Sequence, residues 1–303
     1  MHHIGIVGSG FGIYGWGIAV LENKNTKLHT LSRYKKNILK IISIKELFTR
    51  VIFYKNLKEL INHCELLIIA KRPGDQSRVV SKIIQLKKRI NLILEKPISN
   101  NANNAIRLLR KISKNKINYL IGMTINETNW AKKLKKLLKK KKINKVNIKW
   151  NFLANHYKYN KKNWKRYSNN GGGTLNFYLI HLIYIFSFTK EWKIKYNSKD
   201  KTKEDSGGVL ILKNTDTEII INCNSNYKKK PFFRIKIEYK NFKKEIIKLK
   251  NPFEENKKKK LILNSENRIE LLKRILKNAY KNKWCKPNET EKHLNLWKKI
   301  CMK

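Results

Sequence analysis

Ile4-Gly5-Ile6-Val7-Gly8-Ser9-Gly10-Phe11-Gly12 decides how the first half of this chain is read. A short apolar run ends in a glycine turn, and residues 13–22 then follow a helical pattern. In a parallel α/β sheet this layout lays a dinucleotide pyrophosphate against a helix N-terminus, where backbone N–H groups and the helix dipole favour an anion. The spacing Gly8-x-Gly10-x-Gly12 departs from the usual G-x-G-x-x-G, so the glycines gain their weight from standing at the first strand of a wound sheet. A second stretch, Leu92-Ile93-Leu94-Glu95-Lys96-Pro97, reads as another strand of that sheet, ending on an acid–base pair next to proline. Such sheets present their ligands at these carboxyl ends. Together the two stretches imply a nicotinamide-dependent enzyme.

Around them, residues 1–124 alternate short apolar runs with helical stretches, the pattern of a doubly wound parallel sheet. Strands are predicted at 3–8, 27–32, 51–53, 66–71, 91–95 and 119–124, and helices at 13–22, 57–63, 75–86 and 101–114. Asn56 with Glu59 three residues on has the form of a capped helix start. A lysine-rich helix over 130–142 is expected to bridge to a second domain, its cationic side reading as a solvated face. There the pattern changes. Strands predicted at 145–153, 208–213, 218–224, 233–239 and 244–249 are joined by turns such as Asn214-Thr215-Asp216, which implies a mainly antiparallel open sheet. One apolar helix, 174–188, follows Gly171-Gly172-Gly173, and helices at 266–281 and 289–301 close the chain. The expected fold class is α/β: a Rossmann-like dinucleotide-binding domain over 1–124 and a second α/β domain over 125–303.

With 303 residues, 41% of them hydrophobic, the chain is long enough for two domains with full cores. No run of about 18 apolar residues occurs, so no membrane span is expected. An N-terminus that enters a strand directly is not read as a secretion signal. Cys64, Cys223, Cys285 and Cys301 are scattered, without C-x-x-C or paired Cys/His spacing. Reduced thiols in the cytoplasm are expected, and no metal site. The net charge of +49 is the most unusual bulk property, and charge of that sign can bind nucleic acid. Yet only 11 of the 70 basic residues are Arg, the side chain that grips bases and phosphates with a planar fork. The lysines spread over the whole chain among abundant Asn and Ile. That balance favours compositional drift over a specific nucleic-acid reader, while leaving a field that attracts phosphorylated or carboxylated ligands.

Four blocks, in this order, resemble the Gfo/Idh/MocA oxidoreductases, the family named for glucose–fructose oxidoreductase and inositol dehydrogenase. Gly8-Ser9-Gly10-Phe11-Gly12 is similar to the family's G-x-G-F-G cofactor turn, and Glu95-Lys96-Pro97 matches its E-K-P signature. Trp164, Gly171-Gly172-Gly173-Thr174-Leu175 and His181 resemble its W…GGG-x-L…H segment, and the closing helices fit in place and pattern. The resemblance implies an N-terminal Rossmann domain binding NAD or NADP and a C-terminal domain whose open sheet serves homo-oligomer formation. It implies a small-molecule substrate between the domains, a sugar or an anionic sugar derivative. It also implies Lys96 as the active-site lysine and His181 as the proton-transfer residue, arriving from different domains and meeting across the cleft. Ala70-Lys71-Arg72-Pro73 takes the place of the family's cofactor-contacting A-x-x-P turn, so Ala70, Arg72 and Pro73 join Glu95 and Lys96 as expected cofactor contacts. From the residues alone His181, in an otherwise apolar helix, reads as a core histidine. The glycine loop upstream turns that reading toward catalysis.

At the end of the second predicted strand, Ser32-Arg33 holds the position from which a residue reaches the adenosine ribose. No acid is near, and an arginine accommodates a 2′-phosphate, so NADP is favoured over NAD. Two departures bear on the chemistry. Phe177 stands where many members of the family carry an aspartate four residues before the histidine, with Leu179 in place of a glycine of that motif. The arginine that many members carry after the sixth strand is missing from 122–130. Asp75, Asp200, Asp205 and Asp216 are the only aspartates, and none fills the gap locally. Two other readings stay open: a catalytically impaired nucleotide-binding protein of the same fold, acting as sensor or subunit, and, on charge alone, a basic nucleic-acid-binding module.

Overall fold

The computed structural model describes residues 1–41, 47–187, 192–198, 204–254 and 268–302. The predicted helix ends at 188 and 266–267, and Asp200, lie outside the described residues. The chain divides into two compact units and passes between them more than once. The first is built from Met1–Ser99 and Ile106–Thr124 and also holds the helix Ile269–Tyr280.

In the first unit six strands form one sheet: β1 (His2–Val7), β2 (Thr26–Leu31), β3 (Val51–Tyr54), β4 (Leu66–Ile69), β5 (Asn91–Leu94) and β6 (Tyr119–Ile121). Their order is β3-β2-β1-β4-β5-β6 and every pair is parallel. The strands read as continuous apolar runs because a parallel sheet carries helices on both faces. Leu66–Ile69 is buried throughout, with Ile68 between Ile6 and Ile93 in register. One core cluster gathers Ile4, Ile6, Trp16, Ile68 and Ile93 with Leu272 and Ile275 of the late helix. Each such aliphatic side chain contributes roughly 1.5–3 kcal/mol on burial. The helix Leu57–Asn62 starts as read from the sequence: the Asn56 side chain accepts from Glu59 N at 3.0 Å, and the Glu59 carboxylate accepts from Lys55 N at 3.1 Å. The strand order reverses between β1 and β4, which opens a crevice at their carboxyl ends.

The second unit carries a mixed sheet of β7 (Ile143–Asn151), β8 (Lys193–Ser198), β9 (Gly207–Lys213), β10 (Glu218–Asn224), β11 (Phe232–Tyr239) and β12 (Lys244–Leu249). The order is β12-β11-β7-β10-β9-β8, antiparallel except for the central pair β7–β10. Its inner residues (Val146, Ile148, Trp150, Ile219, Ile221, Phe233, Ile235) are buried, whereas Lys149, Asn222 and Lys236 on the other face are exposed. The lysine-rich helix, Asn129–Lys139, is capped by the Thr128 hydroxyl, which accepts from Ala131 N at 3.3 Å. It buries Trp130, Ala131, Leu134 and Leu138 and turns Lys132, Lys133, Lys136 and Lys139 to solvent, as its pattern predicts. No described helix is long and apolar enough to cross a membrane.

Candidate active site

The glycine turn leaves β1 at Gly8, whose φ of +154° favours a residue without Cβ. A Cβ there would strike the Ala70 carbonyl oxygen. Gly10 is the opposite case. Nothing lies within 4 Å of the place its Cβ would fill, and Ser9 and Gly10 are both exposed. The Gly10 carbonyl accepts from Ile13 N at 2.8 Å and Tyr14 N at 3.2 Å, which starts the helix Gly12–Gly17, continued by Ile18–Leu21. An open glycine in front of a helix N-terminus is a cradle that fits a dinucleotide pyrophosphate, so the residues present suit the cofactor implied by the motif. Phe11 lies beside this turn with the Arg268 guanidinium 4.0 Å over its ring.

Two neighbouring segments reach the same sheet edge. Ala70 N donates to the Val7 carbonyl at 2.9 Å, and Pro73, one residue after the exposed Arg72, opens the helix Pro73–Gln85. After β2, Ser32 Oγ donates to the Tyr54 carbonyl at 3.0 Å, while Arg33 is exposed with its guanidinium 5.2 Å over the Tyr34 ring.

Glu95, Lys96 and Pro97 follow β5, with Glu95 and Lys96 only 9% and 7% exposed. The Lys96–Pro97 peptide is cis. Trp16 Nε1 donates to Glu95 Oε2 at 2.8 Å, and Lys96 N donates to Glu95 Oε1 at 3.2 Å. Gln76, fully buried, donates through Nε2 to the carbonyls of Glu95 (2.7 Å) and Pro97 (2.8 Å), clamping the chain on both sides of Lys96. Gly122 makes room, since a Cβ there would lie 2.9 Å from Glu95 Oε2. Burial pushes the Glu95 carboxyl above its ordinary value, against the pull of the Lys96 charge, the Trp16 indole and Arg268. Sequence reasoning missed Trp16 and Gln76. Trp16 looks like one more apolar residue of a core-facing helix, whereas a lone Gln on the buried side of Pro73–Gln85 was a signal that could have been read.

In the second unit the triple-glycine loop is shaped by Asp205. Gly173 has φ of +77°, and a Cβ on it would lie 2.7 Å from the Asp205 Cβ. Asp205 Oδ2 accepts from Leu175 N at 2.9 Å, and its carbonyl accepts from Thr174 N at 2.9 Å. A carboxylate therefore caps the helix formed by Thr174–Leu179 and Ile180–Phe186, where the dipole favours negative charge. None of this is local in sequence. His181, on that helix, is 1% exposed, its ring edge-on to Phe253 with centroids 5.9 Å apart. Phe177 packs perpendicular to Trp164 at 5.4 Å, with Lys165 Nζ 5.5 Å over its ring. An aromatic contact thus occupies the place expected of the family's aspartate. Among the described residues, no three His, Cys, Asp or Glu side chains gather as metal ligands, and none of the four cysteines is in a disulfide.

Among solved structures, the dehydrogenase MviM from Clostridium difficile matches with a TM-score of 0.74 at 15% identity, covering 99% of each chain. The WlbA dehydrogenase from Bordetella pertussis, in complex with NADH and UDP-GlcNAcA, matches with a TM-score of 0.75 at 13% identity, covering 99% of this chain and 95% of its own. The super-repressor mutant of Gal80p from Saccharomyces cerevisiae matches with a TM-score of 0.73 at 12% identity, with coverage of 99% and 95%. At such identities the likeness is one of fold. No curated protein matches the sequence. The model of the oxidoreductase family with an NAD-binding Rossmann fold matches residues 2–123, over the unit that presents the open glycine turn and the clamped lysine. Over those residues the chain is similar to the NAD-binding Rossmann domain of the Gfo/Idh/MocA oxidoreductases.

Proposed function

We propose that this protein is an NAD(P)-dependent oxidoreductase moving a hydride between the nicotinamide and a carbinol or carbonyl carbon of a sugar, polyol, sugar nucleotide or related small compound. One observation carries this reading: the open cradle at Gly10 and the clamped, buried Lys96 belong to one sheet edge. In the bound state the dinucleotide supplies the hydride donor or acceptor. Gly8–Gly12 hold its pyrophosphate, Ser32 and Arg33 its adenosine ribose, and Ala70, Arg72, Pro73, Glu95 and Lys96 its remaining contacts. Oxidising a carbinol frees a proton from its oxygen, and reducing a carbonyl adds one. His181 takes that role because an imidazole exchanges protons near neutral pH, and Lys96 hydrogen-bonds the same oxygen and stabilises its developing charge. The strongly positive chain suits an anionic sugar derivative, and WlbA crystallised with a sugar nucleotide. The half-buried Val209, Ile211 and Ile220 on the open face of the second sheet support assembly into a homo-oligomer, and the four free cysteines support a cytoplasmic protein.

Energy transfer from tryptophan to NADH or NADPH tests binding, and turnover with a panel of sugars and sugar nucleotides tests the reaction. NADPH should bind about tenfold more tightly than NADH at moderate salt, because a charge-assisted bond from Arg33 to a 2′-phosphate contributes on the order of 1.5 kcal/mol or more. Arg33→Ser should erase the difference. Equal or tighter binding of NADH would refute the preference. Low salt is avoided because net charge alone then favours the extra phosphate.

Phe177 favours a second reading, a cofactor-binding sensor or subunit without hydride transfer, since it stands in the sequence where the resemblance places an aspartate four residues before the histidine. The likeness to a super-repressor form of Gal80p is in keeping with it. Tight cofactor binding with no turnover across the panel would select that reading.

A further inference from the structure

The E-K-P segment is tied to the helix that starts at the glycine turn. Trp16 sits on that helix, fully buried, and its indole N–H donates to one oxygen of the Glu95 carboxylate at 2.8 Å. The other oxygen accepts the backbone N–H of Lys96 at 3.2 Å. The carboxylate is therefore a two-ended bridge between the helix and the residue assigned to the substrate oxygen. Gly122 leaves space for it, and a side chain there would collide with Glu95 Oε2. Ionisation strengthens this bridge, because a carboxylate accepts through both oxygens and is drawn to the Lys96 charge, whereas a protonated carboxyl turns one of its oxygens into a donor.

We infer that Trp16 is a positioning residue: through Glu95 it fixes the backbone at Lys96 and so orients the lysine. This inference rests on the assignment of Lys96 to the active site.

The indole N–H resonance of Trp16 reports the bridge without any substrate. The chain has seven tryptophans, so Trp16→Phe identifies the resonance by its disappearance. That resonance should shift with pH at a midpoint above the ordinary glutamate value, and Glu95→Gln should abolish the shift. Lys96→Met should move the midpoint higher still, since the lysine charge favours the ionised carboxylate. With a turned-over substrate, Trp16→Phe should lower kcat about tenfold and change KM and the NADPH Kd less than twofold. It should also move the acid limb of the pH–kcat profile upward, because Glu95 loses a donor to its charged form. A merely structural residue would not move that limb. A resonance indifferent to pH, or a midpoint unmoved in Lys96→Met, overturns the bridge. Loss of turnover in Lys96→Met together with a parental kcat and acid limb in Trp16→Phe overturns the positioning role alone. Normal turnover in Lys96→Met overturns instead the assignment of Lys96, while the resonance still reports on Trp16 and Glu95.

Discussion

Gly10→Val should weaken NADPH binding roughly 100-fold or more while leaving the circular dichroism spectrum and melting behaviour near those of the parent. The asymmetry follows from where the new side chain goes. No protein atom lies within 4 Å of the Cβ position, so the valine meets no neighbour in the fold. On the proposed reading it fills instead the space through which phosphate oxygens approach the backbone N–H groups of the helix start. Gly8 would be a poor probe, because a side chain there strikes the Ala70 carbonyl and strains the fold itself. Unchanged NADPH affinity in Gly10→Val, measured by fluorescence titration, would remove the pyrophosphate from this turn.

Lys96→Met and His181→Ala should each cut turnover by roughly 10²-fold or more, the usual scale for removing an acid–base group. Methionine keeps the length of the lysine stem and removes the donor and the charge, so the backbone clamp from Gln76 survives. NADPH binding should persist in His181→Ala, whose residue lies in the second unit. No aspartate precedes His181 at position 177, so its tautomer must be set by another acceptor, a carbonyl or a water. Normal turnover in His181→Ala would make the imidazole a core residue, the reading its apolar helix first suggests.

The doubly wound sheet was legible because its strands are uninterrupted apolar runs: Leu66–Ile69 and Asn91–Leu94 begin where the pattern places them and stop a residue or two before its end. The second sheet was legible only as a set of hairpins. Hairpin logic cannot show that β7 pairs in parallel with β10, because helices and the strands β8 and β9 separate the two in the chain. β8 escaped notice because an exposed edge strand, Lys193-Ile194-Lys195-Tyr196-Asn197-Ser198, has little apolar content to mark it. At the candidate site the motif residues could be named from sequence, whereas their supports could not. Asp205 reaches the start of the histidine helix from 30 residues away, and Trp16 meets Glu95 across 79. A local pattern carries no trace of such pairs. Trp16 and Gln76 also satisfy the helical period as core residues, so their polar bonds are hidden behind their packing.

Transfer of label tests the central claim most directly. The protein is mixed with NADPH deuterated at nicotinamide C4, on each face in turn, and with keto forms of sugars and sugar nucleotides. The products are then read by mass spectrometry. An oxidoreductase of this kind places one deuterium on the new carbinol carbon, from one face of the nicotinamide only. NADPH that binds at the glycine turn but passes no deuterium to any compound of the panel would contradict hydride transfer as the function of this chain.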